Sequence, residues 1–315
     1  MDLTPELPAS QVGPTPGFQA SKVVIVAGKG GVGKTTVTAT LGLVAADSDR
    51  SVLFLEVDGT GALSSALAVP TPGPEPVPVP HDPERLRLAA IRPREALTGY
   101  LGDHGLTRLT GRLLRTGMLD LVATATPGIR DLVVLGRIRQ LAETDPADLI
   151  VVDAPAAGHA IAFLRTPSDV LEMVRDGPIR RQAHLAAEFL ADPELCSVSL
   201  VTLPQVTPIR ELIETAYAIE EDLGVALGPV ILNAVEPGLG QPPEEIPGDP
   251  VSRAMVDADH WIRERIGAET RHTTDLEENL ALPLLRLPRT DLPPDNPAAL
   301  TSLAALVTTQ LRARP

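Results

Sequence analysis

Two lysines, Lys29 and Lys34, stand among glycines in the nonapeptide Gly28-Lys-Gly-Gly-Val-Gly-Lys-Thr-Thr36, in a chain that has 24 arginines and only one other lysine. Glycine-rich backbone of this spacing can wrap a phosphate chain and present consecutive N–H donors to it, at a helix N-terminus where the dipole favours negative charge. Gly28, Gly30, Gly31 and Gly33 supply the wrap, with Val32 and Thr36 completing the cradle. Lys34 is placed to reach β- and γ-phosphates, and the Thr35 hydroxyl to ligate magnesium, as the lysine and Ser/Thr of a P-loop do. Such a loop needs a strand before it and a helix behind it. The run Lys22–Ala27 reads as a buried strand and Thr35–Ala46 as a helix. Lys29 is a second ammonium for which the loop's own geometry has no use, so a group outside the loop is expected to use it.

Phosphoryl transfer to water also asks for a group that orients the water and one that holds the magnesium shell. Ser51–Val57 reads as a strand with Asp58 at its C-terminal tip, and Leu149–Val152 as another that ends at Asp153. Ligands of open parallel sheets lie at the carboxyl ends of strands. Asp58, Asp153 and the loop after Ala27 are therefore expected to converge, with Asp153 holding a magnesium-bound water. A tip aspartate that only forms a turn or caps a helix is the alternative for each. Gly59, Thr60 and Gly61 read as a mobile segment after Asp58.

The octapeptide at 28–35 resembles the deviant Walker A motif of the dimeric ATPase class that includes the MinD and ParA proteins, the nitrogenase iron protein, and the arsenite-pump and tail-anchored-protein-targeting ATPases. Asp153-Ala-Pro-Ala-Ala-Gly-His159, with Phe163, Leu164 and Pro167, is similar to switch II of the arsenite-pump (ArsA-type) family. Asp58–Leu63 aligns with that family's switch I, Pro127–Asp131 with its PGIDE segment, and Arg85–Leu97 with the strand and helix after switch I. The resemblance runs from about Lys22 to Leu287.

It implies a magnesium-dependent ATP hydrolase with ATP and Mg2+ as cofactors, whose switch regions couple hydrolysis to movement of a helical subdomain. It also implies a nucleotide-dependent homodimer, or a heterodimer with a paralogous ATPase, in which Lys29 crosses a two-fold interface to the partner's phosphates. Asp58 would position the attacking water, and Gly158 and His159 would report on the γ-phosphate. Asn233 would read the adenine edge, for which a carboxamide offers both donor and acceptor. Switch I departs from the family pattern, reading Asp-Gly-Thr-Gly-Ala. That motivates the alternative of an ATP-binding regulatory or structural subunit with little turnover, paired with a paralogous chain. The family's arsenite-binding cysteines and zinc-clamping Cys-x-x-Cys are absent, and no client is indicated.

The elements that must position these residues alternate apolar strands with helices, which predicts an α/β fold: a mostly parallel sheet with helices on both faces. Further strands are expected at Arg85–Ile91, Ser197–Leu203, Pro229–Val235 and Leu284–Leu287, and helices at Ile129–Leu141, Pro208–Leu223 and Pro250–Ile266. Residues 1–20 are proline-rich and read as a disordered tail, and 21–315 as one ATPase domain. A helical insertion is expected at about 94–143, with an apolar stripe of Leu109, Leu113, Leu114, Met118 and Leu121, and a second helical stretch at Ser168–Leu190. Pro70–Pro83 reads as a polyproline spacer. The net charge of −14 speaks against a nucleic-acid partner. No apolar run reaches the length of a membrane span, so no direct membrane insertion is expected, and a cytoplasmic location is. Cys196 is the single cysteine, which excludes an intrachain disulfide framework and reads as a small core residue.

Overall fold

A computed structural model describes residues 20–57, 59–70, 72–93, 95–96, 128–155, 160–244, 246–247, 249–291, 293 and 296–313. The chain runs β1 (Val23–Gly28), α1 (Lys34–Ala46), β2 (Val52–Glu56), α2 (Ala62–Ala66), β3 (Val77–Pro78), β4 (Leu86–Ala90) and α3 (Ile129–Thr144). It continues with β5 (Leu149–Asp153), α4 (Ala160–Met173), α5 (Pro178–Ala191), β6 (Cys196–Thr202), α6 (Val206–Tyr217), a π-helical turn (Ala218–Asp222), β7 (Val230–Val235), α7 (Pro250–Asn279), β8 (Leu284–Pro288) and α8 (Pro297–Arg312).

The strands form one sheet in the order β3-β4-β2-β5-β1-β6-β7-β8. All neighbours are parallel except β3 and β4. Parallel strands need crossovers, and helices lying on both faces leave no solvated side. The central strands are accordingly buried, and apolar apart from Glu56 and Asp153 at the ends of β2 and β5 and Ser197, Ser199 and Thr202 in β6. Side chains alternate between faces, so Val23, Ile25 and Ala27 join one core with residues of α3 to α6, while Val24 and Val26 join a second core with α1 and α8. The α/β doubly covered architecture expected from the pattern is the one observed.

Four differences from the sequence reading have physical causes. The stretch expected at Ser168–Leu190 is two helices. The first begins at Ala160 and passes through Pro167, because Phe163, Leu164 and Val170 on either side are buried against the sheet. It ends where Arg180 Nη1 donates to the carbonyls of Leu171 and Val174, at 2.6 and 2.7 Å. Helix α7 starts as expected, with Asp249 accepting from Val251 and Ser252 N–H and Pro250 at the first turn. It runs on past Gly267 to Asn279, because buried Glu269, Thr273 and Leu276 fasten its second half. The proline-rich run carries the short edge strand β3, antiparallel to β4 through Val77 and Leu88. Finally, α8, absent from the sequence reading, is capped by Asn296 and buries Leu300, Leu303, Ala304 and Val307. Within the expected insertion, the described helix is α3; the leucine stripe from Leu109 to Leu121 lies outside the described residues. Among the described residues no helix is long and apolar enough to cross a membrane.

Candidate functional site

Strands β2, β1 and β5 end together at one edge of the sheet, and the loop Lys29–Gly33 leaves β1 there to enter α1. Gly33 is the N-cap of α1 with φ 88, a left-handed conformation that a side chain at this position would oppose, and it offers no side-chain cap. The first turn of α1 carries no acidic residue. The positive end of the helix dipole thus carries no acid of its own helix and suits an external anion. Lys34 Nζ donates to the Lys29 carbonyl at 3.3 Å, which curls the ammonium back over the loop.

Thr35 and Asp153 meet directly. The Thr35 hydroxyl donates to Asp153 Oδ2 at 2.7 Å, and Thr38 Oγ1 lies 3.4 Å from Oδ1. Asp153 is only 4% exposed. A carboxylate that far from water needs partners or a cation. Its position follows from register, because Val26 of β1 and Glu56 of β2 are its partners on either side. The strand tip thus delivers Asp153 beneath the first turn of α1. A hydroxyl and a carboxylate side by side form a hard oxygen donor set of the kind magnesium uses when phosphates and water complete its shell.

Asn233 also reaches the loop. Its carboxamide Nδ2 donates to the Val32 carbonyl at 2.8 Å. Strand β7 has a register irregularity between Leu232 and Val235, and Ala234 takes φ 54 there. Bulges of this kind re-aim side chains beside functional sites. Of the remaining residues singled out in the sequence, Lys29 forms an ion pair within its own chain, Nζ to Glu211 Oε1 on α6 at 2.6 Å. Asp58, Gly158 and His159 lie outside the described residues.

Three participants escaped the sequence reading: Thr38, Glu211 and Glu56. Thr38 is one turn beyond Thr35 and follows from helical periodicity once Thr35 is assigned. Glu56 carries a visible signal as an acid closing the apolar run of β2, as Asp153 closes that of β5. Nothing in the local sequence marks Glu211, which meets Lys29 across 182 positions.

A parallel sheet whose first strand runs through a glycine loop into a helix, with a second strand's aspartate under the helix start, defines a P-loop nucleoside triphosphatase. The comparison with known proteins specifies it further: the profile of the anion-transporting ATPase family matches residues 21–180, and the chain belongs to this family of ATPases. ATPase BagA of Mycobacterium tuberculosis is 29% identical over 312 residues, covering 90% of each chain. ATPase get3 of Neurospora crassa is 31% identical over 150 residues, covering 47% of this chain and 43% of its own. The uncharacterised protein SCO2128 of Streptomyces coelicolor is 36% identical over 173 residues, covering 52% of this chain and 42% of its own.

Proposed function

We propose that this ATPase hydrolyses magnesium-bound ATP in the cytoplasm as a nucleotide-dependent dimer, either with itself or with a paralogous chain. The observation that carries the reading is the 2.7 Å contact between Thr35 Oγ1 and Asp153 Oδ2 at the open N-terminus of α1. In this reading the N–H groups of Gly30 to Thr36 and the Lys34 ammonium bind the phosphates. Thr35 ligates the metal and Asp153 holds it through water; magnesium, when bound, neutralises charge on the β- and γ-oxygens. Asp58 orients the attacking water at the tip of β2. Lys29 exchanges Glu211 for the phosphates held by the partner, and Asn233 pairs with the adenine edge. Gly158 and His159 sense the γ-phosphate, and its loss releases both switch segments and the helical region they move.

The test is phosphate release by the full chain, alone and with any co-purifying paralogue, with Mg2+ and with a chelator. Turnover is expected to stop on chelation and in Asp153→Asn. Asp58→Asn should lower kcat by roughly 100-fold or more while ATP binding persists. Turnover indifferent to Asp58→Asn removes the catalytic assignment of that residue.

A further inference from the structure

Glu56 closes β2 with a carboxylate in a residue only 2% exposed. A buried carboxylate is tolerable only when hydrogen-bonded, and its partners are backbone groups of the segment that follows. Gly61 N–H donates to Oε1 and Ser64 N–H donates to Oε2, the latter at 3.1 Å. The segment is shaped for this: Gly61 adopts φ 75 as the N-cap of α2, and the Ser64 hydroxyl donates to the Gly61 carbonyl at 3.1 Å. The glycines after Asp58, read from sequence as a source of mobility, here include one that turns the backbone onto Glu56.

On its other side Glu56 is the register partner of Asp153. Phe54 and Val151, two residues before each, share the core on the α1 side of the sheet. By the alternation of strands, Glu56 and Asp153 therefore project from the same face, on backbones about 4.8 Å apart. One carboxylate meets Thr35 and Thr38; its neighbour has both oxygens committed to loop N–H groups.

We propose that Glu56 is a positioning residue of the ATPase site: it ties Gly61 and Ser64 to the tip of β2 and so fixes the backbone that leads out of and back to the residue, Asp58, to which the reading above assigns the attacking water. This rests on the reading of the site given above. The committed oxygens assign Glu56 to the loop and not to the metal. A carboxamide cannot replace it, because one of its two heavy-atom ends is a donor and would face a second N–H. Aspartate keeps the charge but is one methylene short of the loop.

Glu56→Gln and Glu56→Asp in the full chain test this through kcat and KM for ATP, equilibrium binding of a fluorescent ATP analogue with Mg2+, and amide exchange of the peptide spanning 59–66. Displacing a water-orienting segment by about 1 Å predicts a kcat loss of roughly 10- to 100-fold in both variants, with analogue affinity within about threefold of the parent. Exchange across 59–66 is expected to accelerate. Parental kcat and exchange would overturn the proposal, as would equal losses in kcat and analogue binding, the mark of a general structural defect. If either variant fails to fold, the parent decides: Gly61 and Ser64 amides must be protected, and unprotected amides at both overturn the tether. Lys34→Ala separates the underlying reading. Undiminished analogue binding in that variant defeats the site assignment itself, whereas lost binding there with parental Glu56 variants defeats the tether alone.

Discussion

Replacing Glu211 by glutamine is expected to tighten ATP-dependent pairing, and the size of the effect follows from the contact that the substitution removes. In a single chain Lys29 Nζ lies 2.6 Å from Glu211 Oε1, with the two side chains 51% and 43% exposed. An ion pair that open to solvent is worth roughly 0.2–1 kcal/mol. If Lys29 must leave Glu211 to reach the partner's phosphates, each two-fold dimer breaks two such pairs, a cost of about 0.4–2 kcal/mol. Removing it lowers the dimer dissociation constant by about 2- to 30-fold. Sedimentation velocity with a non-hydrolysable ATP analogue and Mg2+ at low ionic strength reads this directly. The gain should shrink in about 1 M salt, where the Debye length falls to about 3 Å. Lys29→Ala should act oppositely, weakening nucleotide-stabilised pairing more than nucleotide binding. If Glu211→Gln pairs no more tightly than the parent at low salt, the lysine is not withdrawn from Glu211 on association. The cross-interface role then fails.

Three further outcomes are expected. Gly33→Ala places a Cβ on a φ of 88 and against the Asn233 carboxamide, at a conformational cost of about 1–2 kcal/mol. ATP-analogue affinity should drop at least about tenfold as the bond from Asn233 to Val32 is displaced, and unaltered affinity in a calorimetric titration would show that the loop is not the phosphate cradle. Asp148 accepts the Ser51 N–H at 2.8 Å and the Ser51 hydroxyl at 2.7 Å, and the backbone bond above all holds its carboxyl below the ordinary value. A depressed folded-state pKa gives stability that is fully present above the unfolded value, near 3.9, and is lost as pH falls through the folded one. The melting-temperature gap between parent and Asp148→Asn should therefore close as the solution is acidified below that point, and a gap independent of pH would contradict it. Burial pushes the Cys196 thiol up, so maleimide should leave the folded chain unlabelled at neutral pH and label it once in denaturant, as read by intact mass.

Most of the fold was legible because the strands are buried on both faces. Val23–Val26 and Leu149–Val152 announce themselves as uninterrupted apolar runs, and parallel pairing follows from the helices between them. What was not legible turned on residues whose usual meaning was overridden by packing. Pro167 and Gly267 are helix breakers by propensity, yet Pro167 is flanked by buried Leu164 and Val170, and Gly267 by Arg265, ion-paired to Glu236 just beyond β7, and by buried Glu269. Helix α8 did carry a start signal, Asn296 followed by Pro297, but it stands after a proline-rich stretch that hides the change of period. Its apolar face is spent on α1 and β8, where Leu300, Leu303 and Val307 are buried.

The site divides along a similar line. Gly33, Lys34 and Thr35 are contiguous, so the motif displays their chemistry without reference to the fold. Asp153 needed only the rule that strand tips converge, and register with Val26 delivers it to Thr35. Glu56 and Glu211 are different because their roles depend on which of two competing demands a charge answers. A carboxylate at a strand tip beside a metal position could ligate the metal or hold a loop, and only the N–H groups of Gly61 and Ser64 decide between them. A lysine beside phosphates could serve its own chain or another, and its resting partner sits 182 residues away. Glu56 holds the backbone of Gly61 and Ser64, and Glu211 occupies the ammonium of Lys29. The two substitutions at Glu56 and Glu211 should therefore move rate and assembly in separable ways: the first kcat without pairing, the second pairing without the binding of nucleotide to one chain.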